Sequence, residues 1–328
     1  MFITLSITLS SIVVPAPPVV DVSDSRDIPA FPLFKGLEIQ PVVLQGDDSD
    51  QTLGLRYTYT KSLARFSLTG SESKDFDLAF DSSGTIAVER ALNPEDLIEA
   101  KLAIRYTFTD TGVPKRPERY APGGDDTLDR LALKPGVRLS GRVFAGHESD
   151  QSFLERHTTF GLGGFAKYQI PEDRVIWWNI FDYPATALRW LTGYDVRSTG
   201  QTGPMGLDAL PSVGVDLERI APSGDDPRAD IGDGSDFTRA SLRLALSSPV
   251  FDIGGGDESD EVSLTAAWRY YAEFDADQAV KDAGLDKYNF LVVSLKSRSG
   301  FVVSYTNGQL PFDEDDGESF QVGWSHSF

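Results

Sequence analysis

The chain has 328 residues, of which 40% are hydrophobic. It contains no cysteine and carries a formal net charge of −20. The absence of cysteine excludes a disulfide framework and a thiolate metal site. The negative charge argues against a nucleic-acid partner, because phosphate binding requires a basic surface. No internal run of the sequence approaches the ~18 consecutive apolar residues that a membrane helix requires, so a helical membrane protein is excluded.

The first residues predict an export signal. Residues 1–14 are apolar apart from serine and threonine, and small and proline residues follow them, as in the core of a secretory signal peptide. The first basic residue is Arg26, so the positive leading segment of such a signal is missing. Either the start is truncated or this interpretation is wrong. We predict an export signal over residues 1–18, a proline- and aspartate-rich tail over 19–35, and one β domain over 36–328.

From Gly36 onward, short runs alternate large apolar residues with small or polar ones. A period of two is typical of a β-strand that has one apolar face and one polar face. The clearest runs lie within residues 52–60, 75–80, 100–108, 137–145, 160–170, 240–246 and 262–274. Helical spacing is scarce, and only Asn93–Ala100 and Asp275–Gly284 are predicted as short loop helices.

The number and spacing of these runs predict an all-β fold. We count 12 to 16 strands, with 14 as the best estimate. The uncertainty lies in Tyr59–Ala64 and Trp177–Ala187, where the pattern does not distinguish a turn from a bulge. Many short strands with polar connections indicate an antiparallel sandwich or barrel. Closure into a barrel removes the exposed edges, and only a closed sheet satisfies its backbone in lipid. We therefore predict a single antiparallel transmembrane β-barrel.

The last ten residues carry the most specific pattern. Small or polar residues there alternate with a large set: Phe320, Val322, Trp324, His326 and Phe328. About ten residues is the length of a tilted strand that crosses a bilayer. The segment resembles the terminal strand of Gram-negative outer-membrane β-barrels of the porin-like kind, in which a C-terminal phenylalanine and alternating apolar residues serve as the membrane-insertion signal. An amphipathic strand that ends a soluble sandwich is the alternative.

That resemblance implies a cell location and partners. The location is the cell outer membrane, where residues 19–35 would form a periplasmic tail. The partners are outer-membrane lipid and the barrel-assembly machinery, which would recognise the C-terminal strand. A homotrimer follows only by analogy with porins.

The positions of the basic residues predict the function of the barrel. Each lies out of phase with the apolar set of its strand, so in a barrel it would face the lumen: Arg56, Lys101, Arg105, Arg138, Arg142, Arg239, Arg243 and Arg269. Acidic residues concentrate in the connections over 46–50, 123–126, 224–236, 254–261 and 313–318. A basic wall that faces acidic loops resembles the constriction of general diffusion porins. It predicts passive transport of small hydrophilic solutes, with no enzymatic activity and no cofactor. The alternative is a plugged structural barrel, whose lumen is filled by paired charges.

A lipid hydrolase is the runner-up function. His147 and Ser149 are two residues apart and would share a strand face. Outer-membrane lipid A deacylases use such a pair together with an acidic residue that orients the histidine, a role that Asp150 or Glu155 would fill here. The surrounding residues do not otherwise match that family, and His147 begins a predicted hairpin loop in which such residues are common.

One acidic, glycine-rich loop is a weak calcium candidate. Its carboxylates belong to Asp225, Asp226, Asp230, Asp233 and Asp236, and calcium takes six to eight hard oxygen ligands. The spacing is not that of an EF-hand loop, so a solvated loop is the preferred interpretation and no metal site is predicted. The run Gly254–Gly256 has no following lysine, so nucleotide binding is not supported.

Overall fold

The structure is a computed structural model, whose described strands begin at Leu37. It describes residues 35–45, 50–69, 73–90, 93, 95–110, 136–169, 180–194, 210–224, 228, 231, 234–253, 260–274, 276–312 and 317–327. The predicted export signal, the predicted tail up to residue 34 and Phe328 lie outside the described residues.

A single antiparallel sheet contains all the described strands. They are β1 (Leu37–Gln45), β2 (Gln51–Thr69), β3 (Ser73–Ala87), β4 (Ile98–Asp110), β5 (Gly136–Ser149), β6 (Glu155–Gln169), β7 (Ser212–Gly224), β8 (Phe237–Ile253), β9 (Asp260–Phe274), β10 (Lys287–Ser297), β11 (Phe301–Gly308) and β12 (Gly317–Trp324). The two-residue strand β13 (His326–Ser327) also pairs with β1.

The sheet closes on itself. Each strand pairs with the next, and β12 returns to β1 with Val322 opposite Val43. The predicted single antiparallel barrel is thus confirmed, and the sandwich alternative is wrong. We call the end at which β1 begins and β12 finishes the terminal end, and the other the opposite end.

The best estimate of 14 strands was too high, because the described residues form 12 full-length strands. One ambiguous segment, Tyr59–Ala64, lies inside the 19-residue β2 and holds a bulge between Ser62 and Ala64. A bulge adds a residue without ending the strand pairing. The described part of the other ambiguous segment is helical.

Two α-helices in the connections are described over their whole length. A 3-10 turn over Ile180–Asp182 leads into α1 (Tyr183–Thr192), which has proline in its first turn and ends at Gly193 with φ 69°. Helix α2 (Gln278–Asp282) falls within the second predicted loop helix. The first loop helix was wrong over its described residues, because Ile98–Ala100 already belong to β4. Neither α1 nor α2 has the length and apolar content that crossing a bilayer as a helix would take.

Contacts between non-neighbouring strands identify the inner face. Lys101 of β4 lies 3.4 Å from Glu218 of β7, although β5 and β6 separate these strands in the sheet. Neighbouring strands are about 4.8 Å apart, so such a contact is made only across the interior. Side-chain alternation then assigns the intervening positions to the outer face.

The outer face is apolar and exposed. Ile104 and Phe160 are 64% and 61% exposed. Other exposed members of this surface are Leu53, Phe76, Leu102, Val143, Leu162, Val215, Leu217, Phe320, Val322 and Trp324. We call these outward residues the outer belt. A water-soluble protein rarely exposes a continuous apolar surface of this kind.

Candidate functional site: the barrel lumen

The eight basic residues singled out in the sequence all occupy inward positions. Arg56 on β2 donates to Gln321 on β12 at 2.7 Å, across β1. Arg239 on β8 reaches Glu148 on β5 at 2.7 Å, across β6 and β7. The other six share the inward phase of their strands: Lys101, Arg105, Arg138, Arg142, Arg243 and Arg269.

Four of the inward charges form a buried network in the lumen, which we call the lumen cluster. It consists of Lys101, Glu148, Glu218 and Arg239, which are 8%, 0%, 1% and 2% exposed. The Nη2 of Arg239 donates to Glu148 at 2.7 Å and to Glu218 at 2.8 Å. Nζ of Lys101 lies 3.2 Å from Glu148 and 3.4 Å from Glu218. Both cations thus contact both carboxylates, and Nζ of Lys101 also lies 3.4 Å from Glu99.

Glycine on β6 makes contacts across that strand possible. Arg142, Gly163 and Asp216 occupy one row of the sheet on β5, β6 and β7. Because Gly163 has no side chain, Arg142 bonds Asp216 over it at 2.8 Å and 2.9 Å. A Cβ at Gly163 would stand 1.8 Å from an Asp216 oxygen. Arg243 on β8 pairs with the same carboxylate.

Connections at the opposite end fold into the lumen. Leu97 precedes β4, and Leu310 and Phe312 follow β11; all three are buried against the inward residues Tyr271 and Phe290. Glu95 in the first of these connections pairs with the inward Arg56 on β2. The described parts of these connections therefore narrow the lumen with apolar side chains as well as with carboxylates.

Three cavities lined by described residues lie along the lumen. The largest of these three, of about 670 Å³, lies toward the terminal end, and we call it the arginine cavity. Its lining includes two aspartates, Asp75 and Asp77, and five arginines: Arg65, Arg105, Arg138, Arg142 and Arg243. A second, of about 270 Å³, lies at the opposite end beside Arg239 and Phe312. A third, of about 210 Å³, is lined by Arg56, Glu99 and Arg269.

Several lumen charges escaped the sequence analysis. Arg65 was missed because the bulge in β2 reverses the phase of the strand beyond Ser62. The inward carboxylates Glu148, Asp216 and Glu218 alternate with outward apolar residues, so the same rule that found the arginines would have found them.

The structure does not join the proposed hydrolase residues. His147 is an exposed, outward residue of β5, whereas the buried hydroxyl of Ser149 makes no hydrogen bond. Asp150 lies 3.2 Å and Glu155 3.7 Å from Arg90. Within the described residues, no hydrogen bond or ion pair joins His147 to Ser149, Asp150 or Glu155.

The other predicted sites are described in part. Phe320, Val322 and Trp324 are outward and exposed, as is His326 in β13, whereas Phe328 lies outside the described residues. Of the calcium candidates, only Asp236 is described, and it lies 3.7 Å from Arg219. Within the described part of the chain, no group of three or more histidine, aspartate or glutamate residues is placed to hold a metal.

Among known proteins, the chain is similar to solved structures. No protein-family model matches the chain, and no curated protein matches it. The "KdgM porin" is 9% identical, with 89% of this chain and 99% of that one covered and a TM-score of 0.31. "LpxR from Salmonella typhimurium" is 10% identical, with 89% and 100% covered and a TM-score of 0.29. OmpF of Salmonella typhi, in complex with daunomycin, is 10% identical, with 89% and 97% covered and a TM-score of 0.27.

At such identities and TM-scores, these similar structures carry no argument about the location or the function of this chain. The chain is a closed antiparallel β-barrel with an apolar exterior and a charged interior.

Proposed function

We propose that this protein spans the cell outer membrane and lets small hydrophilic solutes cross by passive diffusion, with a preference for anions and without chemistry or a cofactor. The observation that carries the proposal is the arginine cavity, enclosed by a barrel wall whose outside is apolar.

The outer belt supports the membrane location. Leu162 and Ile104, for example, are 59% and 64% exposed. Contact of such apolar side chains with water is unfavourable, whereas contact with the hydrocarbon of a bilayer is favourable. A closed sheet also leaves no backbone group unpaired at an edge, which the bilayer core requires.

The charge of the lumen supports anion preference. The chain carries a net charge of −20, yet the lining of the arginine cavity includes five arginines and two aspartates. Asp216 and Asp81 pair with three of these arginines, so the cations still outnumber the carboxylates. Rings of basic side chains select for anions, because the solute exchanges its hydration for favourable electrostatic contacts. The acidic residues of the chain therefore lie mainly elsewhere.

The lumen cluster favours a second candidate function, the plugged structural barrel. Its four charges are buried between the arginine cavity and the cavity at the opposite end. A cluster that stays closed would allow no passage, whereas one that opens would act as the constriction of a narrow channel.

Single-channel recording of refolded protein in a planar bilayer, under a salt gradient, tests the proposal. We expect small, stable conductance steps with a reversal potential on the anion side. Replacing Arg105 and Arg138 by serine should move the reversal potential toward cations. Arg219→Ser is the matched control, because Arg219 is exposed and lies outside the cavity lining.

Two results would contradict the channel. Inserted protein that stays silent under all voltages would favour the plugged barrel. A cation preference that the arginine substitutions leave unchanged would show that the arginine cavity does not set selectivity.

A further inference from the structure

Helix α1 lies against the outside of the barrel. On β9 the inward residues are Arg269 and Tyr271, so Val262 and Leu264 point outward. Val262 is nevertheless only 3% exposed, because it packs in one cluster with Ala185 of α1 and Val250 of β8. Outward side chains of the wall are therefore covered by this helix at the terminal end of β8–β10.

Polar contacts fix the helix on the wall. Nη1 of Arg189 donates to the Ser248 hydroxyl and to the Pro249 carbonyl oxygen, both at 2.9 Å. The Ser248 hydroxyl donates to Asp182 at 2.8 Å, and Asp182 also pairs with Arg189. The bulge of β8 between Pro249 and Phe251 lies at this contact, so Arg189 bonds a carbonyl that the bulge exposes.

The other side of the helical segment is apolar and exposed. Trp190 and Leu191 are 81% and 70% exposed. The exposed residues of the preceding turn are Ile180, Phe181 and Tyr183. The Asp182–Arg189 pair cancels its own charge, so this face presents aromatic and aliphatic groups without a net charge.

We infer that α1 and its preceding turn rest in the headgroup region of the bilayer leaflet at the terminal end and bind phospholipid there. The inference depends on the proposed membrane location. The helix lies where the strands β8–β10 end, which is where the bilayer boundary falls if the outer belt occupies the hydrocarbon. Tryptophan and tyrosine are enriched at that boundary because each ring has an apolar body and a polar group.

The chain's lack of cysteine allows a clean test by single-cysteine labelling. Leu191→Cys and Trp190→Cys carry an environment-sensitive fluorophore on the helix face. Leu162→Cys carries it on the outer belt, and Ala279→Cys on α2 carries it on an exposed connection at the opposite end. Each protein is refolded into phosphatidylcholine vesicles that contain doxyl-labelled lipid at acyl position 5 or 12, and iodide is the aqueous quencher.

We expect the Leu191 and Trp190 labels to be quenched about twofold more by the shallow doxyl group than by the deep one, as for a helix at the headgroup boundary. The Leu162 label should show the reverse order, and the Ala279 label should respond to iodide alone.

The outcomes separate the inference from the proposed function. If the Leu162 label is not quenched by lipid, the membrane location itself is wrong. If Leu162 is quenched but both helix labels respond to iodide, the barrel is inserted and the inference about α1 is overturned. Disulfide cross-linking of two copies through Cys introduced at 191 would also overturn it, in favour of a protein interface.

Discussion

At the scale of single residues, glycine on β6 determines which charged side chains can meet in the lumen. Gly163 leaves room for Arg142 and Asp216 to meet over β6. Gly161, two residues earlier on the same face, leaves room for Phe144, whose ring would stand 2.7 Å from a Cβ at that position. The sequence predicts that these residues face inward, but not that glycine on one strand lets its two neighbours touch.

We expect Gly163→Ala to destabilise the barrel by about 1–3 kcal/mol, because the added methyl group displaces a buried carboxylate from its guanidinium partners. The measurement is the midpoint of urea unfolding in detergent micelles. Gly164→Ala is the control. A Cβ at Gly164 would have one neighbouring atom within 4 Å, the Ser140 carbonyl oxygen at 3.8 Å. Equal midpoints for the two variants would contradict the packing argument.

Asp216→Asn should leave Arg142 and Arg243 without their shared counter-charge. Asp216 is 2% exposed, and removing one partner of a buried ion pair costs about 3 kcal/mol. The same urea experiment measures this, and in a conducting protein the reversal potential should also shift further toward anions. Asp75→Asn is the matched control, because Asp75 pairs with the Arg65 side chain, which is 61% exposed. This substitution should lower the free energy of unfolding by less than about 1 kcal/mol.

At the scale of elements, strand patterning was predictable and helix placement was not. Alternation identifies β4, β8 and β9, because each keeps one phase along most of its length. It fails where the phase reverses, as at the bulge of β2, and it says nothing of α1, whose Ala185 and Leu188 pack on a wall formed by distant strands. An alternating pattern shows which residues of a strand face the same side. Whether a helix packs on that side depends on contacts between residues that are far apart in sequence.

Ala185→Glu should release α1 from the wall, since Ala185 is fully buried against Val250 and Val262 and an unpaired charge there carries a large desolvation cost. We expect faster proteolytic cleavage within residues 180–194, with the barrel strands still protected. Ala187→Glu introduces the same side chain at an exposed position and should leave the cleavage rate unchanged. Cleavage of both variants at the wild-type rate would mean that the helix is not held by this contact.

At the scale of the whole molecule, the sequence predicts the architecture and not the state of the lumen. Closure into a barrel follows from many alternating strands, and the C-terminal pattern favours a membrane location. The strand number was overestimated because a bulge and a helix contain residues that also mark turns. Whether a lumen of this size is open depends on which charges meet across it, and pairs such as Lys101 with Glu218, which lie far apart in sequence, have no local signal.

Replacing the last residue tests the resemblance to outer-membrane barrels directly. If the C-terminal pattern is an insertion signal, Phe328→Ala should reduce the amount of barrel that reaches the membrane while the chain is still synthesised. The measurement is the folded fraction in outer-membrane preparations, read as resistance to unfolding by detergent without heating. Phe301→Ala, which removes an exposed, outward aromatic of β11, should have a smaller effect, and normal insertion of both variants would argue against the resemblance.

The pairing of β1 with β12 has a consequence for the order of folding. The partner of the first strand is β12, which follows all the other described full-length strands in the chain, so the sheet cannot close until β12 has been synthesised. Until then, a partly formed wall has two unpaired edges that can recruit other chains. The pairing of β1 with β12 therefore forms after the other strands are available, and a nascent chain requires protection from aggregation until β12 has emerged.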